Sequence, residues 1–140
     1  MERVLVLREG ERERLAAWAV AAYPHEACGL MLGRRDGGTV EVVAVRRADN
    51  VNVERARDRY EIAPADYLAA EQEAARAGVE VVGVWHTHPD HPAQPSPTDR
   101  ELAWAGWSYV IAAVTAGGVS ALRGWSLNGE REFEEQEIRS

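Results

Sequence analysis

Apolar positions along the chain change period several times, and each change marks an element. Residues 3–8 are a short apolar run, read as a strand. In residues 10–23, Leu15, Trp18, Ala19 and Ala22 recur at helical spacing and give a helix one apolar face, and Pro24 follows it. Residues 28–33 and 39–45 read as a hairpin around Asp36-Gly37-Gly38. Residues 50–59 are a polar, charged connection. Residues 64–77 form a second helix, with Pro64 at its start and Gly78 just past its end. Val79 to Trp85 is a short run rich in β-branched residues, the pattern of a buried strand. A third helix is expected from Pro97 to about Gly106. Residues 107–115 and 118–127 are strands joined at Ala116-Gly117-Gly118, and Asn128-Gly129 turns into a last segment, 130–138. Strands alternating with helices, without repeats or linkers, predict one α/β domain over residues 1–140. Its sheet is mixed, with helices on both faces.

The chemistry concentrates after the 79–85 strand, in His86-Thr87-His88-Pro89 and then Ser96-Pro97-Thr98-Asp99. Residues i and i+2 of a strand share a face, so His86 and His88 project two imidazoles into one volume. Asp99 can close a facial set of three and leave a position open. That donor set describes catalytic zinc better than structural zinc, and non-haem Fe(II) uses the same set. Ser96 at the N-cap, Pro97 at the first helical position and Asp99 at the third read as a capped helix start. Such a start holds Asp99 rigidly, as a ligand requires. A Ser96 hydroxyl beside the metal also suits support of an oxyanion. The segment 90–97 contains three prolines and reads as a stiff loop at the site.

With seven residues between His88 and Ser96, the two motifs resemble the signature of the JAMM (MPN-plus) metalloproteases. That family also has an upstream Glu before a strand of the type Cys-Gly-Leu-Leu-x-Gly; here the chain reads Glu26-Ala27-Cys28-Gly29-Leu30-Met31-Leu32-Gly33. The resemblance implies a cytidine-deaminase-like α/β/α sandwich and one zinc per chain, bound by His86, His88 and Asp99. It also implies Glu26 as general acid/base and Ser96 as stabiliser of the tetrahedral intermediate. Read alone, a Glu after Pro24-His25 is a solvated turn residue. Metal-assisted hydrolysis nevertheless needs a carboxylate that is not a ligand, to carry the proton to the leaving amine. Deaminase chemistry itself needs a Pro-Cys-x-x-Cys ligand pair, and Cys28 is the only cysteine.

Family members act on the flexible tails of ubiquitin-like proteins, and small prokaryotic ones are linked to β-grasp sulfur carriers. The resemblance therefore implies cleavage after a C-terminal Gly-Gly. The hairpin strands 28–33 and 39–45 are expected to leave an edge near the metal, to which such a tail adds as a strand. Selectivity is expected from residues 50–60 and the 90–95 loop. Two alternatives stand beside this reading. One is a RadC-like DNA-repair-associated protein, which shares the His-x-His and Ser-x-x-Asp pattern but resembles Asn where Thr87 stands and carries an upstream helix-hairpin-helix segment. The other is a non-catalytic scaffold of the metal-free type. Metal content and hydrolysis of a ubiquitin-like fusion discriminate among the three.

Charge and cysteine use narrow the setting. A net charge of −7 disfavours nonspecific nucleic-acid binding. One cysteine excludes an internal disulfide and fits a reducing, cytoplasmic compartment; Cys28 reads as a small core residue. The start Met1-Glu2-Arg3-Val4 has no signal-peptide h-region, and no run is long enough to span a membrane. His91 is read as solvent-facing, with substrate contact as the alternative, and His25 as a turn residue. The five tryptophans are read as mostly core, with Trp104 and Trp107 lining a cleft as the alternative. Nothing in the pattern sets an oligomeric state.

Overall fold

The computed structural model describes residues 3–140; Met1 and Glu2, which open the predicted domain, lie outside the described residues. The elements follow the apolar pattern closely. They are β1 (Val4–Leu7), α1 (Glu9–Ala22), β2 (Cys28–Asp36), β3 (Thr39–Ala48) and α2 (Pro64–Ala77). After them come β4 (Glu80–Pro89), α3 (Pro97–Leu102), β5 (Ser108–Thr115), β6 (Gly118–Leu127) and β7 (Phe133–Arg139).

The seven strands run in the order β1-β3-β2-β4-β5-β6-β7, and β1 also pairs with β7, so the sheet curls until its ends meet. It is mixed: β4–β5, β1–β3 and β1–β7 are parallel, the remaining pairs antiparallel. Each parallel pair needs a crossover connection, and the short α3 with its flanking loops provides the one between β4 and β5.

A helix lies against each face, as the mixed-sheet expectation requires. On one face Leu15 of α1 joins a core drawn from every strand, including Leu5, Val42, Trp85 and Val110. Trp18 stacks on Trp85 there with ring centroids 5.7 Å apart. On the other face Ala70 and Ala74 of α2 join Leu30, Leu32, Val84 and Tyr109. Both faces being covered explains why β4 and β5 are apolar without alternation.

Two expectations are corrected and one is narrowed. β4 does not end at Trp85 but continues through the histidines to Pro89, because β5 pairs with it in parallel from Gly83↔Ser108 to Pro89↔Val114. α3 stops at Leu102, short of Gly106, because Ala103 is extended (φ −74°, ψ 151°) and the Trp104 N–H donates to the Tyr109 hydroxyl. At the cluster β2 itself has no open edge, because it lies between β3 and β4; β1 pairs only with Thr39–Val42 of β3, so the outer edge of residues 43–48, level with His86 in the register, has no partner strand among the described residues.

Candidate metal centre

β4 positions both histidines. His86 is fully buried and His88 nearly so, and their rings lie 5.1 Å apart between centroids. Asp99 comes from the first turn of α3. Its place is fixed by a complete capping box: the Asp99 N–H donates to Ser96 Oγ at 3.1 Å, and the Ser96 N–H donates to Asp99 Oδ2 at 2.9 Å. Six residues are too few to hold a helix by its own hydrogen bonds. The far end is secured instead by Arg131, whose guanidinium donates to the carbonyls of Arg100, Glu101 and Ala103.

Ligand-capable atoms of His86, His88 and Asp99 all lie within 4.8 Å of one another. His88 Nε2 is 3.0 Å from Asp99 Oδ2, and its Nδ1 is 2.8 Å from the Pro92 carbonyl. Two acceptors on one ring favour the doubly protonated form. Burial works against it, but the bonds to Asp99 and Pro92 outweigh burial and the His88 pKa is raised. For Asp99 burial pushes upward, and the His88 hydrogen bond, the nearby His86 and the Ser96 N–H win, holding the carboxyl at about 2. The Pro92 carbonyl holds the ring through Nδ1, as outer partners of ligating imidazoles do, and Nε2 is the nitrogen that could take a metal. His86 differs: neither ring nitrogen has a hydrogen-bond partner among the described residues. A buried imidazole without partners, facing a carboxylate and a second imidazole, fits a metal ligand.

Glu26 sits where β2 begins, and it is not the solvated turn residue that its local sequence suggests. It is 5% exposed, its Oε1 lies 3.5 Å from His86 Nδ1, and it stands outside the three-residue cluster. Glu26, His88 and Ser96 border one 340 Å³ cavity. Arg57 and Asp58 of the 50–60 segment and His91, Pro92 and Gln94 of the 90–95 loop line the same cavity. The proline-rich loop is pinned rather than loose: the Asp90 N–H donates to the Val114 carbonyl at 2.8 Å and the Trp125 indole N–H to the Ala93 carbonyl at 3.1 Å. His91 and His25 are exposed, and Cys28 is buried in β2. Trp104 and Trp107 take the cleft alternative: with Tyr67 they form a stacked series along a 460 Å³ groove, and Trp104 is 63% exposed.

Residues 9–128 match the family described as prokaryotic homologues of the JAB domain. The chain belongs to that prokaryotic JAB family. Among JAB relatives, a desampylase from Haloferax volcanii is 37% identical over 91 residues, 64% of this chain and 63% of that one. A probable TtuB-protein conjugate cleaving protease from Thermus thermophilus is 33% identical over 102 residues, 72% of this chain and 65% of that one. The match thus spans just under two thirds of each of these curated relatives' own length. The solution structure of a Desulfitobacterium hafniense protein superposes with a TM-score of 0.85 at 29% identity, covering 96% of this chain and 91% of that one.

Two residues beside the cluster and Glu26 escaped the sequence reading. Tyr60 stacks on His86 at 4.3 Å between centroids and separates the cluster from the aromatic groove. Asn50 donates to the carbonyls of Glu26 (3.3 Å) and Arg59 (3.0 Å) and accepts from the N–H groups of Asn52 and Glu61, both at 3.0 Å. The signal for Asn50 was its type: an Asn amide can organise a turn on both sides at once.

Proposed function

We propose that residues 1–140 form one JAMM-type hydrolase domain, a zinc-dependent peptidase or isopeptidase. It cleaves after the C-terminal Gly-Gly tail of a ubiquitin-like or β-grasp sulfur-carrier protein. The observation that carries this reading is Glu26: a buried carboxylate outside the His86–His88–Asp99 cluster yet beside it, opening into the same cavity as Ser96. A structural metal site has no need of such a group, whereas hydrolysis does. The curated relatives, a desampylase and a conjugate cleaving protease by name, support the substrate class.

His86, His88 and Asp99 hold the zinc, one ion per chain. Bound there, zinc supplies Lewis acidity and lowers the pKa of a coordinated water toward about 7. Glu26 accepts the proton of the attacking water and passes it to the leaving amine as the peptide or isopeptide C–N bond breaks. Ser96 Oγ already accepts the Asp99 N–H, so its own O–H proton is free to donate to the oxygen of the attacked carbonyl. The substrate tail lies between the 50–60 and 90–95 segments, which line the cavity that Glu26, His88 and Ser96 share. Glycines suit that cavity because they let the backbone approach closely. One thiol and no possible internal disulfide support a cytoplasmic setting, and no described helix is long and apolar enough to cross a membrane.

The test is incubation of the zinc-loaded protein with a β-grasp protein extended past its Gly-Gly, read by intact mass. One cut immediately after Gly-Gly is expected. Cleavage elsewhere, or equal cleavage when Gly-Gly is replaced by Val-Val, refutes the reading.

A further inference from the structure

The two histidines are separated by Thr87, which belongs to neither the cluster nor the cavity, yet its side chain is fully buried. β2 and β4 pair antiparallel as far as Cys28↔His86. One step further along, the Thr87 N–H donates to the Ala27 carbonyl at 3.0 Å, as a ladder would have it. The return bond is different. The Ala27 N–H donates to the Thr87 hydroxyl, Oγ1, at 2.9 Å. A side-chain acceptor standing off the main chain lets the backbone leave β4 at Ala27. Glu26 then turns toward the 50–60 segment, where its N–H donates to the Ala56 carbonyl and its own carbonyl accepts from Asn50. At the other end of the same turn, the Tyr23 hydroxyl donates to the Asp90 carboxylate at 2.9 and 3.0 Å. Asp90 directly follows the last residue of β4.

We propose that the Glu26 turn is gripped at two points, Thr87 in β4 and Asp90 just beyond its end, and that Thr87 is the positioning residue setting Glu26 against the ligand face of β4. Neighbouring residues on a strand point to opposite sides, so the residue between two ligands is free to hold something else. A β-branched threonine is stiff at χ1, so its hydroxyl is a fixed acceptor rather than a wandering one. The spacing between the proton-carrying carboxylate and the histidines then rests on one amide-to-hydroxyl bond. Catalytic geometry tolerates only about 0.5 Å of error, so a group held by one such bond is sensitive to its loss.

The inference rests on the reading of Glu26 as the proton carrier, and its test separates the two. Amide exchange followed by NMR, with and without zinc, reads the clamp itself. Thr87→Val keeps the shape and removes the acceptor; exchange at Ala27 and Glu26 rises about tenfold or more, while Met31 and Leu32 stay protected. Zinc stoichiometry is unchanged. Turnover falls by up to about 10²-fold in kcat with KM unchanged, as for a misplaced catalytic group. Thr87→Ser restores most of it. In a Glu26→Gln background Thr87→Val costs nothing further, because the group it positions is already gone. Unchanged exchange at Ala27, or a full additional loss in the Glu26→Gln background, overturns the proposal. If Thr87→Val does not fold, Tyr23→Phe at the solvent-facing grip decides: faster exchange at Glu26 supports the clamp, unchanged exchange overturns it. Absence of hydrolysis by the unaltered protein refutes the functional reading alone, since exchange still reports on the clamp.

Discussion

His86 Nδ1 and Glu26 Oε1 lie 3.5 Å apart in the protein interior, and neither atom has a hydrogen-bond partner among the described residues. Each such buried group left unpaired costs about 1–3 kcal/mol. A site that leaves both unpaired side by side is arranged for something other than its own stability. The same imidazole offers its other nitrogen toward Asp99, 3.7 Å away. His86 thus joins the carboxylate proposed to move protons to the cluster proposed to hold the metal.

Zinc should bind once per chain and raise Tm, since a ligand that binds only the folded state stabilises it by about 2.7 kcal/mol at a concentration a hundred times Kd. His88→Ala should abolish binding, the Tm increase and activity while leaving a folded domain, because the core on both faces is built without that side chain. Elemental analysis and thermal unfolding with added zinc check this; full zinc in His88→Ala contradicts the assignment.

Glu26→Gln should retain zinc and lose on the order of 10²–10⁴ in rate, the usual contribution of a general acid/base. Steady-state kinetics on protein of verified zinc content is the measurement. Undiminished turnover removes Glu26 from the mechanism.

Ser96 has two roles that substitutions can separate. Ser96→Ala loses both the helix cap, about 1 kcal/mol of stability, and the oxyanion donor, about 2.7–4 kcal/mol in the barrier. Ser96→Asp still caps but cannot donate, so it should unfold near the parent temperature and be inactive. Near-normal rates in Ser96→Asp would reduce Ser96 to a cap.

Cys28 should be inert in the native protein. Burial, with smaller contributions from Glu26, Asp66 and Asp49, pushes its thiol up to about 12, so almost no thiolate exists at neutral pH. Alkylation followed by mass spectrometry should label it only in denaturant, and rapid labelling of folded protein would contradict the buried position.

Gly29→Ala should be a damaging small change in β2. A Cβ there would stand 1.9 Å from the Arg46 carbonyl oxygen and 2.3 Å from Trp85 Nε1, two atoms already joined by a 2.9 Å hydrogen bond. Overpacking of this kind costs about 1–3 kcal/mol and more where backbone must move. Chemical denaturation measures it; a loss under 0.5 kcal/mol would mean the strand shifts without resistance.

Much of this was legible in the chain because it is local. α2 and β6 end where Pro64, Gly78, Gly118 and Leu127 say they should, since turns and caps are set by neighbouring residues. The grouping of His86, His88 and Asp99 was legible for the same reason: two-residue spacing puts His86 and His88 on one face, and a Ser-Pro-x-Asp cap fixes Asp99 in the first helical turn.

What the tertiary structure alone decided is whatever depends on residues far apart in sequence. Glu26 reads locally as a solvated turn, and it is buried only because β2 lies against β4 and the 50–60 segment folds over it. β4 runs on through His88 because β5 pairs with it, and α3 ends early because Tyr109 takes the next amide. Which part of the hairpin stays an edge was not legible, because a strand's own residues do not say who pairs with its other side; β4 took the free side of β2, β1 took only Thr39–Val42 of β3, and β1 met β7 to close the sheet. Local spacing names the chemistry, and long-range pairing decides which groups meet and which surfaces stay open.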